Sequence, residues 1–208
     1  ALFFGIAMAQ VAVAEDPLSS ITLSPVDKHF NVKPGETVND TFVILNDGRT
    51  AYDFLTYTSP YSVDDRTYNP NYDDINAPRA DAYKWVGFSQ SRWHLEPRER
   101  VVVPFTLRVP EYASPGSHYG VLFAETQPDE KDKTNIVRKR RVGLIVHVTV
   151  AEGNRVEGRV SEIKIDQYQP FTPLTSTISV QNTGDSDFLA KSSISISDIF
   201  GSVKYQNN

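Results

Sequence analysis

The residues best able to move a proton or hold a metal are four histidines, His29, His94, His118 and His147, and they lie singly along the 208-residue chain. None stands in the H-E-x-x-H spacing that turns two imidazoles to one helix face, and neither a G-x-S-x-G nucleophile turn nor a glycine-rich phosphate loop is present. The sequence has no cysteine, which removes thiolate nucleophiles, disulfides and thiolate-bound zinc together. These residues predict no enzyme chemistry, no cofactor and no metal, with each histidine structural or solvated.

Polar and aromatic groups are instead concentrated between Thr58 and Lys84. Tyr61, Tyr68 and Tyr72 alternate there with Asp64, Asp65, Asp73, Asp74 and Asp81, and Trp85 follows. The acids, with Asn69, Asn71 and Asn76, offer the hard oxygens that calcium prefers, but their spacing matches no EF-hand. The rings bury much area and carry polar tips, which suits a contact surface; the alternative is that they fold back and pin the segment onto its domain. A structureless segment of this length is uncommon inside a compact domain and tends to be functional. Tyr61, Tyr68, Tyr72, Asp73, Asp74 and Trp85 are therefore the predicted binding residues.

A β framework must position them. From Ile21 onward short β-type runs are separated by Pro, Gly, Asn and Asp, without sustained helical periodicity. In Val101 to Val109, residues Val101, Val103, Phe105, Leu107 and Val109 fall on one face; Pro104 cannot donate to a ladder, so the strand is expected to lie at an edge there or to carry a bulge. Arg141 to Val150 likewise turns Val142, Leu144, Val146, Val148 and Val150 inward. Pro34-Gly35 and Asn46-Asp47-Gly48 supply turns between earlier strands. With 11 Phe and 10 Tyr there is aromatic material to fill real cores. The formal net charge of -5 argues against nucleic acid or anionic lipid as partner, since phosphate binding needs a basic excess.

The predicted class is all-β: an immunoglobulin-like β-sandwich over residues 15–152, with a long Tyr- and Asp-rich insertion at 58–84, followed at 153–208 by a second, partial immunoglobulin-like domain with strands near Val156 to Ile165, Thr175 to Gln181 and Ser192 to Ile199. Residues 1–14, an apolar run ending Ala12-Val13-Ala14 before Glu15-Asp16, read as the remnant of a secretory signal with a small-residue cleavage site. The chain is expected to be exported.

Several phrases then combine: Leu23-Ser-Pro25, Val32-Lys-Pro34-Gly35-Glu36-Thr37, Phe42 to Gly48, Leu95-Glu-Pro97 leading into the alternating strand, Ala113-Ser-Pro115-Gly116-Ser-His-Tyr119-Gly120, and in the second unit Ile178-Ser-Val-Gln181-Asn182-Thr-Gly184. This layout resembles the extracellular domains of the WxL-interacting protein family of Gram-positive cell-surface proteins. The resemblance implies a membrane-anchored, non-enzymatic adhesion module at the bacterial cell surface. It implies peptidoglycan or other cell-wall glycan, or another surface protein, as partner, and a C-terminal anchor beyond Asn208. The first domain also looks like periplasmic pilus chaperones, which act by strand donation. An accessory domain of a larger glycan-active enzyme is a third reading.

Overall fold

The computed structural model describes residues 20–64, 67, 69–128, 139–151, 155–165, 175–197 and 200–207. The signal remnant at 1–14, Tyr68 and the expected boundary at 152 and 153 lie outside them. Two compact units are present: Ala1–Lys28, Thr37–Arg108 and Tyr119–Val146 form the first, and His29–Glu36, Val109–His118 and His147–Asn208 the second. Among the described residues no helix is long and apolar enough to cross a membrane.

Up to Val150 the strands are β1 (Ile21–Ser24), β2 (Asp27–Val32), β3 (Thr37–Asn46), β4 (Tyr52–Pro60), β5 (Ser62–Val63), β6 (Pro70–Asn71), β7 (Val86–Phe88), β8 (Arg92–Leu95), β9 (Arg100–Arg108), β10 (Gly116–Thr126) and β11 (Arg141–Val150). All but β5 and β6 form a four-stranded sheet in the order β1-β3-β9-β7 and a five-stranded sheet in the order β2-β11-β10-β4-β8. This is the two-sheet order of an immunoglobulin-like sandwich, and the chain is all-β as its alternation predicts. Val103, Phe105 and Leu107 of β9 and Leu144 and Val146 of β11 are at most 2% exposed; each such side chain withdrawn from water contributes about 1.5–3 kcal/mol.

The turn at Asn46-Asp47-Gly48 is held by its own first residue. Asn46 is fully buried. Its amide nitrogen donates to the carbonyls of Thr50 (2.9 Å) and Glu96 (3.1 Å), while its Oδ1 accepts from Gly48 N–H (2.9 Å). One side chain thus ties the β3–β4 turn to the β8–β9 turn and satisfies backbone groups that burial would otherwise orphan.

Pro104 sits where a strand can tolerate it. β3 pairs with β9 in unbroken register, with Thr41 opposite Pro104, whereas β7 pairs only from Phe88 opposite Phe105 to Val86 opposite Leu107. Thr41 uses its N–H on Asp40 Oδ1 (2.7 Å) and its carbonyl on Lys28 Nζ (2.7 Å). Thr41 and Pro104 are therefore a non-bonded pair, and Pro104 turns its ring nitrogen to the open side just past the end of β7. The edge expected from the sequence is present, without a bulge.

The insertion is not structureless. β5 and β6 form a small hairpin, with Ser62 opposite Asn71 and Val63 opposite Pro70, and a short 3-10 helix spans Ala82–Trp85. Local hydrogen bonds build this order, as described below.

The second unit carries two ribbons, β12 (Gly158–Ile165) with β13 (Ser176–Asn182) and β14 (Ile194–Ser197) with β15 (Val203–Asn207). Val160 lies opposite Val180 and Ile163 opposite Ile178, with a register shift between Val160 and Glu162. That bulge at Ser161 moves even-numbered Val160 and odd-numbered Ile163 and Ile165 onto one face, against the period of two. In the same unit the turn after β13 docks on the start of β10. Gly116, at φ 105°, lies so close that a Cβ would stand 2.2 Å from the Asp185 carbonyl oxygen, and Ser117 N–H donates to that oxygen at 2.9 Å.

Candidate binding surface

On its outer face the five-stranded sheet carries side chains that a solvated face would not. Register places Phe123 of β10 opposite Tyr57 of β4, and their ring centres are 5.5 Å apart. Gly143 of β11 leaves room for Phe123: a Cβ there would lie 2.9 Å from Phe123 and from Val121. Phe123 is only 4% exposed, because the insertion lies over it. Tyr72 meets Phe123 edge-on, with ring centres 5.2 Å apart at 76°, and Tyr61 lies against Tyr72 at 6.0 Å. Arg141 completes the group, its guanidinium 4.3 Å from the centre of the Phe123 ring and 5.7 Å from that of Tyr72, within cation–π range.

Hydrogen bonds fix the rim. Tyr57 donates its hydroxyl to Glu125 Oε2 (2.8 Å) and Lys139 Nζ donates to Glu125 Oε1 (3.2 Å). The Tyr57 bond above all holds the Glu125 carboxyl below its usual range, against partial burial. Burial raises the Tyr57 hydroxyl above its ordinary value; Tyr61 is raised by burial and then by Tyr72. These phenols stay neutral donors at physiological pH.

The loop acids shape the backbone. Asp64 Oδ1 accepts from Thr67 N–H (2.7 Å), Asn71 Oδ1 from Asp73 N–H (2.9 Å) and Asp74 Oδ1 from Asn76 N–H (3.0 Å). These are turns in which a short polar side chain replaces a backbone acceptor, and they hold Tyr61 and Tyr72 on the sheet.

Of the predicted binding residues, Tyr61 and Tyr72 come together as half-buried neighbours, and Asp73 and Asp74 stand exposed beside them. Trp85 is placed apart, 8% exposed, on the short helix that also carries fully buried Ala82. Tyr68 lies outside the described residues. Sequence reasoning missed Tyr57, Phe123, Glu125 and Arg141, which converge only through strand register; Arg141 follows Arg138-Lys139-Arg140 in the sequence, and nothing there signals an aromatic partner. The assembled surface offers half-exposed phenols, a stacked guanidinium and a carboxylate rim. It suits the apolar face and hydroxyls of a sugar, or a polar peptide.

No protein-family model matches the sequence, and comparison with curated proteins gives no match. Among solved structures the chain is similar to the ASH/PapD-like domain 7 of human CEP192, at 15% identity over 73% of this chain and 99% of that one, with a TM-score of 0.45. It is also similar to the class 5 fimbriae chaperone CfaA, at 10% identity over 79% and 81% of the two chains and a TM-score of 0.47. The E. coli chaperone DraB is similar at 11% identity over 90% and 96%, with a TM-score of 0.45.

Proposed function

We propose that the chain is a non-enzymatic binding module of an exported bacterial surface protein, contacting cell-wall glycan or another surface protein through Tyr61, Tyr72, Asp73 and Asp74, backed by Arg141. The observation that carries this reading is the Arg141–Phe123–Tyr72 stack. It holds the loop rings in place before any partner arrives, so little side-chain entropy remains to be lost on binding. Membership of the WxL-interacting family, and the cell-surface location it implies, belong to the same proposal and rest on the sequence phrases quoted above. Binding to purified peptidoglycan and to isolated surface proteins, before and after joint replacement of Tyr61, Tyr68 and Tyr72 by Ala, tests it. A loss of about tenfold or more is expected for a ring-dominated contact. Unchanged binding by a folded variant rejects the loop as the site.

A second reading, a chaperone-like protein acting by strand donation, is favoured by one feature. Ile145 N–H donates to the Val26 carbonyl (2.9 Å) just before β2 begins, so Arg141 to Leu144 of β11 run past the end of β2. Backbone protection of Arg141 and Gly143, whose N–H groups face the same side as that of Ile145, against hydrogen exchange on adding a partner subunit would support it; unchanged exchange with bound partner would remove it.

A further inference from the structure

Two of the four scattered histidines are brought together by strand register. Ile145 N–H donates to Val26 and Ala151 N–H to Val32, both at 2.9 Å. The step is the same along both strands, which makes β2 and β11 parallel neighbours. In that register His147 of β11 lies beside His29 of β2, on the same outward face. Their rings are stacked, with centres 4.3 Å apart at 16°. A carboxylate joins them from a distant part of the chain: Asp187 Oδ2 is 4.0 Å from His147 Nδ1. One ligand atom from each of His29, His147 and Asp187 falls within 4.8 Å of the others, and all three residues belong to the second unit.

Asp187 is oriented. Ser117 Oγ donates to its Oδ1 at 2.5 Å and accepts from its backbone N–H at 3.1 Å. One carboxylate oxygen is thereby anchored and the other is left toward the imidazoles, the arrangement in which an outer hydrogen bond aims a metal ligand. We propose that His29, His147 and Asp187 form a binding site for a divalent transition metal of the zinc class. Two imidazoles and one carboxylate suit zinc, copper or nickel, whereas calcium and magnesium take oxygen ligands. Zinc holds such ligands at about 2.0–2.2 Å, so the site closes on the ion by a tilt of the exposed His29 ring out of its stack. Three protein ligands leave a position open to solvent, where a group from a bound partner can complete the coordination.

The test is calorimetric titration of the full chain with zinc chloride, with visible absorption of the cobalt-loaded protein as a second reading that needs no substitution. One ion per chain is expected, together with intense cobalt ligand-field bands that zinc abolishes. His29→Ala and His147→Ala are each expected to weaken binding by about a hundredfold, and Ser117→Ala by about tenfold, as for removal of an outer-shell partner. His94→Ala, outside the cluster, is expected to leave affinity unchanged. Absence of both binding heat and cobalt bands overturns the proposal, as does zinc affinity unaltered in both His29→Ala and His147→Ala.

Discussion

The guanidinium of Arg141 lies 4.3 Å from the centre of the Phe123 ring, on neighbouring strands, where Gly143 leaves that ring its space. An arginine placed this way contributes about 0.5–2 kcal/mol, depending on how far it is desolvated. Arg141→Ala is expected to lower stability by that amount in urea denaturation. Arg141→Lys is expected to recover only part of it, because an ammonium keeps the charge but loses the planar contact. Equal stability of Arg141→Ala and the parent chain would show that the stack contributes nothing.

Gly143 gives a sharper test of the same surface. A methyl at this position would press on Phe123 and Val121 at 2.9 Å, and overpacking of this kind costs about 1–3 kcal/mol. Gly143→Ala is expected to lower the denaturation midpoint and to weaken partner binding along with it, since Tyr72 rests on the displaced ring. Parent-like stability and binding would show that the face relaxes without cost.

Asn46 should be among the most sensitive polar positions. Removing its side chain takes the amide donor away from the part-buried carbonyls of Thr50 and Glu96 and the acceptor away from the Gly48 N–H. Each unsatisfied buried group costs about 1–3 kcal/mol. Asn46→Ala is expected to destabilise the chain by about 1–3 kcal/mol, measured by chemical denaturation. A loss below about 0.5 kcal/mol would mean that water replaces the amide at once.

His94 provides a pH test. Its hydrogen bond to Asp53 (2.7 Å), followed by that to Glu96, raises its pKa above the ordinary histidine value. A raised folded value means that the pair's contribution is present in acid and is lost as pH rises through the folded midpoint. Proton NMR is expected to show His94 titrating above about 6.5, and Asp53→Asn is expected to move the midpoint down. An unmoved midpoint would break the assignment to Asp53.

Much of the framework was legible in the sequence, because period-two alternation in β9 and β11 reports burial directly: Val103 and Leu144 are both inaccessible. The insertion was legible as a place but not as a structure. Its order comes from Asp64, Asn71 and Asp74 bonding their own neighbours, and such turns leave no periodic trace. Trp85 reads as a surface aromatic until the short helix turns it inward. Arg141 and Phe123 meet only through long-range register, and Ser117 and Asp187 only because the loop after β13 lies against the start of β10. The bulge at Ser161 hid the apolar face of the β12–β13 ribbon by shifting it one residue out of phase.

Pro104 has a consequence beyond its own strand. β9 extends past the last residue of β7, and an open sheet margin of that kind ordinarily invites a strand from another molecule. Thr41 directs its backbone groups elsewhere, and Pro104 has no N–H to offer on the open side. A foreign strand arriving there would miss a rung at its first contact. The imino ring thus makes this margin a poor template for edge-to-edge pairing. Pro104→Val, which restores the donor, is expected to raise the tendency to form oligomers, measurable by light scattering.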